Sequence, residues 1–304
     1  MLTASLQALL AQAIDYAGMF PPASLDLETA LKNQAQYLRS EDAWMLHTFV
    51  LPVEQFDAAK PFLAQFDPQH PLRVAALGPR AANAEIFLET LESCDAAIRA
   101  FAKYDVDLIS ISHLEMPLPL DADSSLLSEA RAILGDLPVF WETPPERAGH
   151  TIALLAEFNS NQDAPTFGCK MRTGGVTPHA FPTCAQIAGA LVTPATHQVP
   201  VKFTAGLHHP IRQFRDEVKT KMHGFLNVLG AAVLAAEHRW DASQTALMLE
   251  DENPASFRFT DDCFAWRQWK IGIERLAYRR KFAVSFGSCS FDEPRQDLRA
   301  LAWL

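Results

Sequence analysis

The chain has 304 residues, 49% apolar and 20% charged, and its 36 acidic against 26 basic side chains leave a net charge of −10. That composition excludes disorder and supplies ample apolar residue for a core, while the acidic balance repels a phosphate backbone, and no basic stripe with interleaved aromatics marks a nucleic-acid surface. No apolar run approaches the ~20 residues of a membrane span, the N-terminus lacks signal-peptide order, and Cys94, Cys169, Cys184, Cys263 and Cys289 form no CxxC pair, so a cytoplasmic protein with reduced thiols is expected, without nucleic-acid or membrane partners.

In chain order, a helical pattern over residues 2–14 breaks at Gly18, Pro21 and Pro22, leaving a short strand that ends at Asp15 or Tyr16. Asp26 is placed to cap a helix through LDLETALKNQAQYL, because its carboxylate can accept orphan backbone donors. An apolar run over 44–51 closes at Pro52 and is followed by a helix to about Phe66. LRVAALGP then reads as a strand and 82–104 as a long amphipathic helix. The alternation continues through VDLISISHLEMP, a helix near 125–134, LPVFWETPP and a helix near 146–158.

The next stretch, TFGCKMRTGG, has a counterpart in VPVKFTAGLHHP. Each is a short apolar run ending in a lysine, a threonine and a glycine, as expected of a buried strand that delivers a cation to a glycine-lined rim. After Pro210 the pattern suggests a helix from Ile211, a strand in HGFLNVLG and a helix through Ala236. Strands that are apolar throughout and polar only at their C-terminal ends are buried on both faces, as in a helix-covered parallel sheet. Eight such units from residue 13, with no GxGxxG after the first strand, favour a (β/α)8 TIM barrel over an open dinucleotide-binding sheet.

The barrel is thus expected over residues 1–240, N-terminal helix included, with 241–304 as an extra C-terminal segment packed on it within a single domain. SFGSCSFDEP in that segment has too many small residues for a core element and reads as a loop, either a lid over the barrel mouth or a turn on the far side. Trp266 and Trp269 with Ile273 and Leu276 fit a buried helix face or a subunit contact, which makes this segment the expected place for a homodimer interface.

Polar residues at strand ends converge on one mouth in this architecture. They are Asp15, His47, Asp107, His113, Glu115, Glu142, Lys170, Arg172, Lys202, Thr204, His208, His209, His223 and Asn227. A charge inside a barrel costs several kcal/mol unless paired, so Asp107 and Lys170 are expected to neutralise one another or a ligand.

In the same order, IDYAGMF, DLETALKNQAQYL, VDLIS, VFWET, KMRTGG, an Ala-Gly-containing strand and HGFLNVLGAAVLAA resemble the class I deoxyribose-phosphate aldolase barrel over about residues 13–236. The resemblance implies a Schiff-base lyase, with Lys170 in the Lys-x-x-Thr-Gly pattern of the imine-forming lysine and Asp107 as the proton-shuttling aspartate of the fourth strand. The family's second lysine directly precedes Pro-Ala-Gly on the seventh strand. Here Phe203 holds that register and Lys202 comes one residue early, which turns it to the other face unless a bulge intervenes. Leu207, His208 and His209 follow the Ala-Gly where the family has a second phosphate-binding glycine, so a phosphorylated substrate is not implied. DYAGMFPPA, KFTAGLHHP and SFGSCSF are also similar to the motifs of a bacterial protein group of unassigned activity.

Read from the residues alone, several chemistries stay open. An amine attacks a carbonyl only when neutral, so Lys170 needs a dry site or a neighbouring cation; Arg172, two residues on, shares its face, and Asp107 or Glu142 can move protons. Lys170, Arg172, Thr173, Gly174 and Gly175 equally describe a site for a small carbonyl or anionic substrate, with Thr204, His208, His209, Asp15 and Asn227 as further binding candidates. No cofactor is favoured. The alternative enzyme class uses a divalent metal held by His113, Glu115 and His208, and a non-catalytic small-molecule-binding barrel is the third reading. Cys289, with His223 or His209 as base, is a weaker nucleophile candidate, since no spacing links them.

Overall fold

The computed structural model describes residues 2–81, 83–161, 167–197 and 199–304. Eight parallel strands close into a barrel: β1 (Ile14–Tyr16), β2 (Leu46–Pro52), β3 (Leu72–Leu77), β4 (Ile109–Pro117), β5 (Val139–Thr143), β6 (Phe167–Arg172), β7 (Val201–Thr204) and, after five strands outside the barrel, β13 (Ala283–Ser288), which pairs with both β7 and β1. Helix α1 (Ala4–Leu10) precedes β1, and α2 (Leu27–Tyr37), α3 (Phe56–Ala59), α4 (Ala84–Tyr104), α5 (Ser124–Leu134), α6 (Ala148–Ser160) and α7 (Cys184–His197) lie between successive strands in sequence. The expected α4 start, Ala82, lies outside the described residues. Asp26 caps α2 as its position requires, its carboxylate accepting from the Thr29 amide at 2.8 Å. No described helix is long and apolar enough to cross a membrane.

The second half of the chain corrects the sequence expectations. Residues after Ile211 form a hairpin of β8 (Gln213–Arg215) and β9 (Thr220–Met222) in place of a helix. HGFLNVLG is not the eighth strand but opens helix α8 (Phe225–His238). Its residues 225–231 are all buried, and an apolar run with no polar face has no periodicity to separate helix from strand.

The eighth strand lies inside the segment expected to be surplus, so 240/241 is not the edge of the barrel. SFGSC, read as loop, is mostly strand, because its small residues face a crowded barrel interior: a Cβ on Gly287 would stand 3.1 Å from Thr204 Oγ1. On the outer face of the same strand Phe286 stacks on Phe225 of α8 at 5.1 Å. The remaining segment holds α9 (Ala242–Leu249), an antiparallel sheet of β10 (Phe257–Phe259), β11 (Cys263–Trp266) and β12 (Trp269–Gly272), then α10 (Ile273–Arg279) and α11 (Asp292–Ala300). Trp266 and Trp269 sit on strands, not on one helix face, and pack edge-on against Trp240 at 5.7 and 5.3 Å.

A buried guanidinium ties the chain's two ends together. Arg280 donates to the carbonyls of Leu9, Ala11 and Val284 at 2.6 to 3.2 Å, joining the α1–β1 turn to β13. Burial is tolerated because the donors are spent on carbonyls whose own lone pairs need partners.

Side chains alternate across each strand, so Trp141, Phe203 and Phe286 pack outward under the helices while Phe140, Gly168 and Lys202 face the axis. A Cβ on Gly168 would lie 2.6 Å from Phe140 Cε1 and 2.7 Å from the Pro200 carbonyl oxygen. The Phe140 ring fills that gap, with Lys202 Nζ 5.5 Å from its centroid. The prediction is that Gly168→Ala destabilises the protein by about 1–3 kcal/mol, measured by chemical denaturation, since the backbone carbonyl cannot yield as a side-chain tip can. A Gly168→Ala variant as stable as the parent would contradict this packing.

Candidate active site

Two lysines stand side by side in the barrel. The β6–β7 register runs unbroken, with Lys170 opposite Lys202 and Arg172 opposite Thr204. Paired residues of parallel neighbours point to the same face, so both lysines face inward without a bulge between these strands. This answers the offset expected from the sequence: Lys202 is 1% exposed and enters the site.

Glu115, on β4, joins them. One of its oxygens, Oε2, is 2.7 Å from Lys170 Nζ, and the other, Oε1, receives Lys202 Nζ. Lys170 has a second counter-ion in Glu142 at 2.8 Å, its register partner on β5, and Lys202 has Asp15 at 2.9 Å, from β1. Asp15 is further held by the Thr48 hydroxyl, the Ser285 hydroxyl and His47 Nδ1. His113 stands beside Lys202, with Nε2 3.0 Å from Nζ and 3.1 Å from Glu115 Oε1.

The charges set one another's protonation. Burial opposes the charge of Glu115, but Lys170 and Lys202 outweigh it and hold the carboxyl well below its usual range. Asp15 is held low in the same way, burial being overcome by Lys202 and His47. Lys170 moves up, because Glu115 and Glu142 more than offset its burial. His113 is pushed down to about 4 by burial and by Lys202, so it is a neutral imidazole at neutral pH.

Above this network opens a cavity of about 400 Å³ lined by Glu115, Glu142, Lys170, Arg172, Thr204 and His208 among others, but not by Lys202 or Asp15. Lys170 is therefore the amine that a ligand reaches, and Lys202 lies beneath it. The rim is made by a turn in which Ala205 and Gly206 both have positive φ, 62° and 76°. A Cβ on Gly206 would stand 2.8 Å from Gly174 Cα, so glycine is required where these two loops touch. The Thr173 hydroxyl donates to the Ala205 carbonyl at 2.6 Å, clamping the rim and leaving Gly175 on the cavity wall. A second cavity of about 340 Å³ adjoins through Arg172 and Glu142 and also carries Arg80 and His179.

Other expected site residues lie elsewhere. Asp107 is exposed in the turn that precedes β4, at the end of the barrel opposite the mouth, so it faces neither lysine. Glu115 holds the β4 position beside Lys170 instead, and the i, i+2 spacing of His113 and Glu115 was the available signal for it. Asn227 lies within α8, its side chain bonded to the Arg212 amide and the Met248 and Asp251 carbonyls. His209 pairs with Asp297 at 2.6 Å and does not line the cavity. His223 is bonded to the Pro182 carbonyl and Arg212, and the histidine beside Cys289 is His208, 3.7 Å away, not His223 or His209. His113 and Glu115 touch Lys202 while His208 is bound to Glu293, and among the described residues no three of His, Cys, Asp or Glu converge as ligands for a metal.

Two predictions follow from these charges. Glu115→Gln leaves two buried ammonium groups short of a counter-ion and should cost about 3–5 kcal/mol in a denaturant titration; a loss below ~1 kcal/mol would rule out the network as described. Stability should also peak near pH 6.5. His113, depressed to about 4, contributes stability above its unfolded value of about 6.5 that is lost as pH falls through 4. His208, raised to about 9 because hydrogen bonds to Cys289 and Glu293 outweigh its burial, contributes stability below 6.5 that is lost as pH rises through 9. The denaturation midpoint measured from pH 4 to 9 checks both limbs, and His208→Gln should flatten only the alkaline one.

No protein-family model matches the sequence, and no curated protein matches it. Among solved structures the chain is similar to a deoxyribose phosphate aldolase from Aeropyrum pernix described as a unique tetrameric structure, at 13% identity and a TM-score of 0.45 over 97% of this chain and 97% of that one.

Proposed function

We propose that the chain is an aldolase-like lyase that makes or breaks a carbon–carbon bond beside the carbonyl of a small substrate, through an imine on Lys170. The observation that carries the reading is the pair of lysines joined by one carboxylate at the closed end of a cavity that Lys170, but not Lys202, lines. Lys170 rests as an ammonium and must first lose a proton. Of its two carboxylate neighbours Glu142, at 2.8 Å and with 14% of its side chain exposed, is the acceptor, since Glu115 is 2% exposed and also pairs with Lys202. The neutral amine then adds to the substrate carbonyl carbon, the carbinol oxygen takes the proton from Glu142 and leaves as water, and the resulting protonated imine draws electrons from the Cα–Cβ bond as the β-hydroxyl gives its proton to the Glu142 carboxylate and becomes the carbonyl of the leaving fragment. Lys202, ion-paired with Asp15 and Glu115, lies beneath the Lys170 amine, and its cation opposes a second positive charge there.

A second reading, a barrel that binds a small carbonyl or anionic ligand without covalent chemistry, is favoured by one observation: both lysines are already neutralised by carboxylates, as in a structural ion-pair network.

The two readings part on one experiment. Protein incubated with short aldehydes, ketones and 2-oxo acids and then reduced with borohydride should carry an adduct on Lys170 by mass spectrometry, and Lys170→Arg should carry none. Trapping should increase with pH, because the raised Lys170 keeps the amine scarce at neutrality, and Glu142→Gln should slow it by roughly 10²-fold. No adduct from the whole panel would sink the imine and leave the binding reading.

A further inference from the structure

Five cysteines occur in the chain, and among the described residues two of them, Cys184 and Cys289, touch a histidine. Cys184 Sγ lies 4.0 Å from His223 Nδ1, and Cys289 Sγ lies 3.7 Å from His208 Nδ1. Similar distances hide opposite proton arrangements. His223 Nε2 is 2.7 Å from the Pro182 carbonyl, which only accepts, so that nitrogen carries the proton. Its Nδ1 is then an acceptor, facing the Arg212 guanidinium at 3.0 Å, and Cys184 meets it as a thiol donor. His208 is the reverse. Its Nδ1 is 3.1 Å from Glu293 Oε2, and a carboxylate only accepts, so Nδ1 carries the proton, and Cys289 Sγ at 3.7 Å shares that one N–H with the carboxylate. A sulfur opposite a donor is held as an acceptor, the arrangement that suits a thiolate.

Place matters as much as protonation. Cys289 is the first residue after β13, at the C-terminal mouth, and it and His208 line the same 400 Å³ cavity as Lys170. Cys184 is the buried first residue of α7 and lines neither of the two cavities described. Glu293 is set by the turn that follows: its amide donates to Ser290 Oγ at 3.1 Å at the start of α11.

We propose that Cys289 is a nucleophilic modification site for small disulfides, and that the adduct occupies the cavity above Lys170. The step is thiol–disulfide exchange. The Cys289 thiolate attacks one sulfur of a low-molecular-weight disulfide, a new S–S bond forms as the old one breaks, and the second sulfur leaves as a thiolate that takes a proton from the His208 imidazolium, which the raised value near 9 keeps charged at neutral pH and which becomes a neutral ring. Reduction by a free thiol reverses it. Burial pushes the Cys184 thiol up and that of Cys169 to about 12, which disfavours a thiolate at either.

The test treats the full-length reduced protein with 2-hydroxyethyl disulfide at pH 7.5 and follows each cysteine by peptide mass spectrometry. Cys289 should form the mixed disulfide at least about tenfold faster than Cys184 in the same molecules, and His208→Gln should slow it by about the same factor. Equal rates at Cys289 and Cys184, or a rate at Cys289 unchanged in a folded His208→Gln protein, would overturn the proposal. Should that variant not fold, the comparison of the two cysteines within the parent protein decides. Blockage of borohydride trapping by the adduct rests on the imine reading. A parent protein that labels at Cys289 but never traps a carbonyl fails that reading alone, whereas a Cys289 adduct that leaves trapping undiminished fails the claim that it fills the cavity.

Discussion

A single carboxylate shared between two buried ammonium groups is the constraint around which the barrel interior is arranged. Glu115 reaches Lys170 with one oxygen and Lys202 with the other. Taking such charges out of water costs several kcal/mol per ion, which is recovered only with close partners and satisfied lone pairs. The neighbouring strands supply both: Asp15 and Glu142 complete the counter-charge, and Thr48, Ser285, His47 and His113 occupy the remaining hydrogen-bonding positions.

That requirement explains features of the sequence that look out of place in a barrel core. Ser285 and Gly287 are small because β13 must present a hydroxyl to Asp15 and leave Thr204 room. Gly168 is bare because Phe140 has to lie under the lysines, where the ring gives Lys202 an aromatic face and keeps the floor of the site apolar. The network also divides the site by depth. Lys202 and Asp15 are sealed, while Lys170 and Glu142 meet the cavity, so the lysines differ in role because they differ in access.

His208 and Cys289 line the same cavity, and Glu293 holds His208 from behind, so a second polar group stands beside the lysines. It comes from the loop after β7 and from the strand and helix that close the barrel. One end of one fold thus carries an amine and a thiol with separate proton partners. Arg172 adds a cation at the rim that no carboxylate among the described residues neutralises at the distances seen for the other pairs, and it borders both cavities.

The chain determines much of this by local pattern. Alternating apolar runs and amphipathic helices specify a parallel barrel through β7, Asp26 marks its helix start, and Lys170, Glu142, Arg172 and His208 stand where strand ends put them. What local pattern cannot carry is which strand closes the ring. HGFLNVLG is apolar on every side and SFGSC is small and polar, so periodicity assigns them the wrong way round. Only the space left between β1 and β7 selects the serine- and glycine-bearing segment. Nor does spacing reveal facing across strands. Asp107 and Glu115 are both acids near β4, but they fall at its opposite ends, and Lys202 faces Lys170 because the strands pair in that register. Charges separated by dozens of residues meet through hydrogen-bond register and barrel closure, which are tertiary quantities, and the proton positions that distinguish Cys289 from Cys184 exist only once those partners have met.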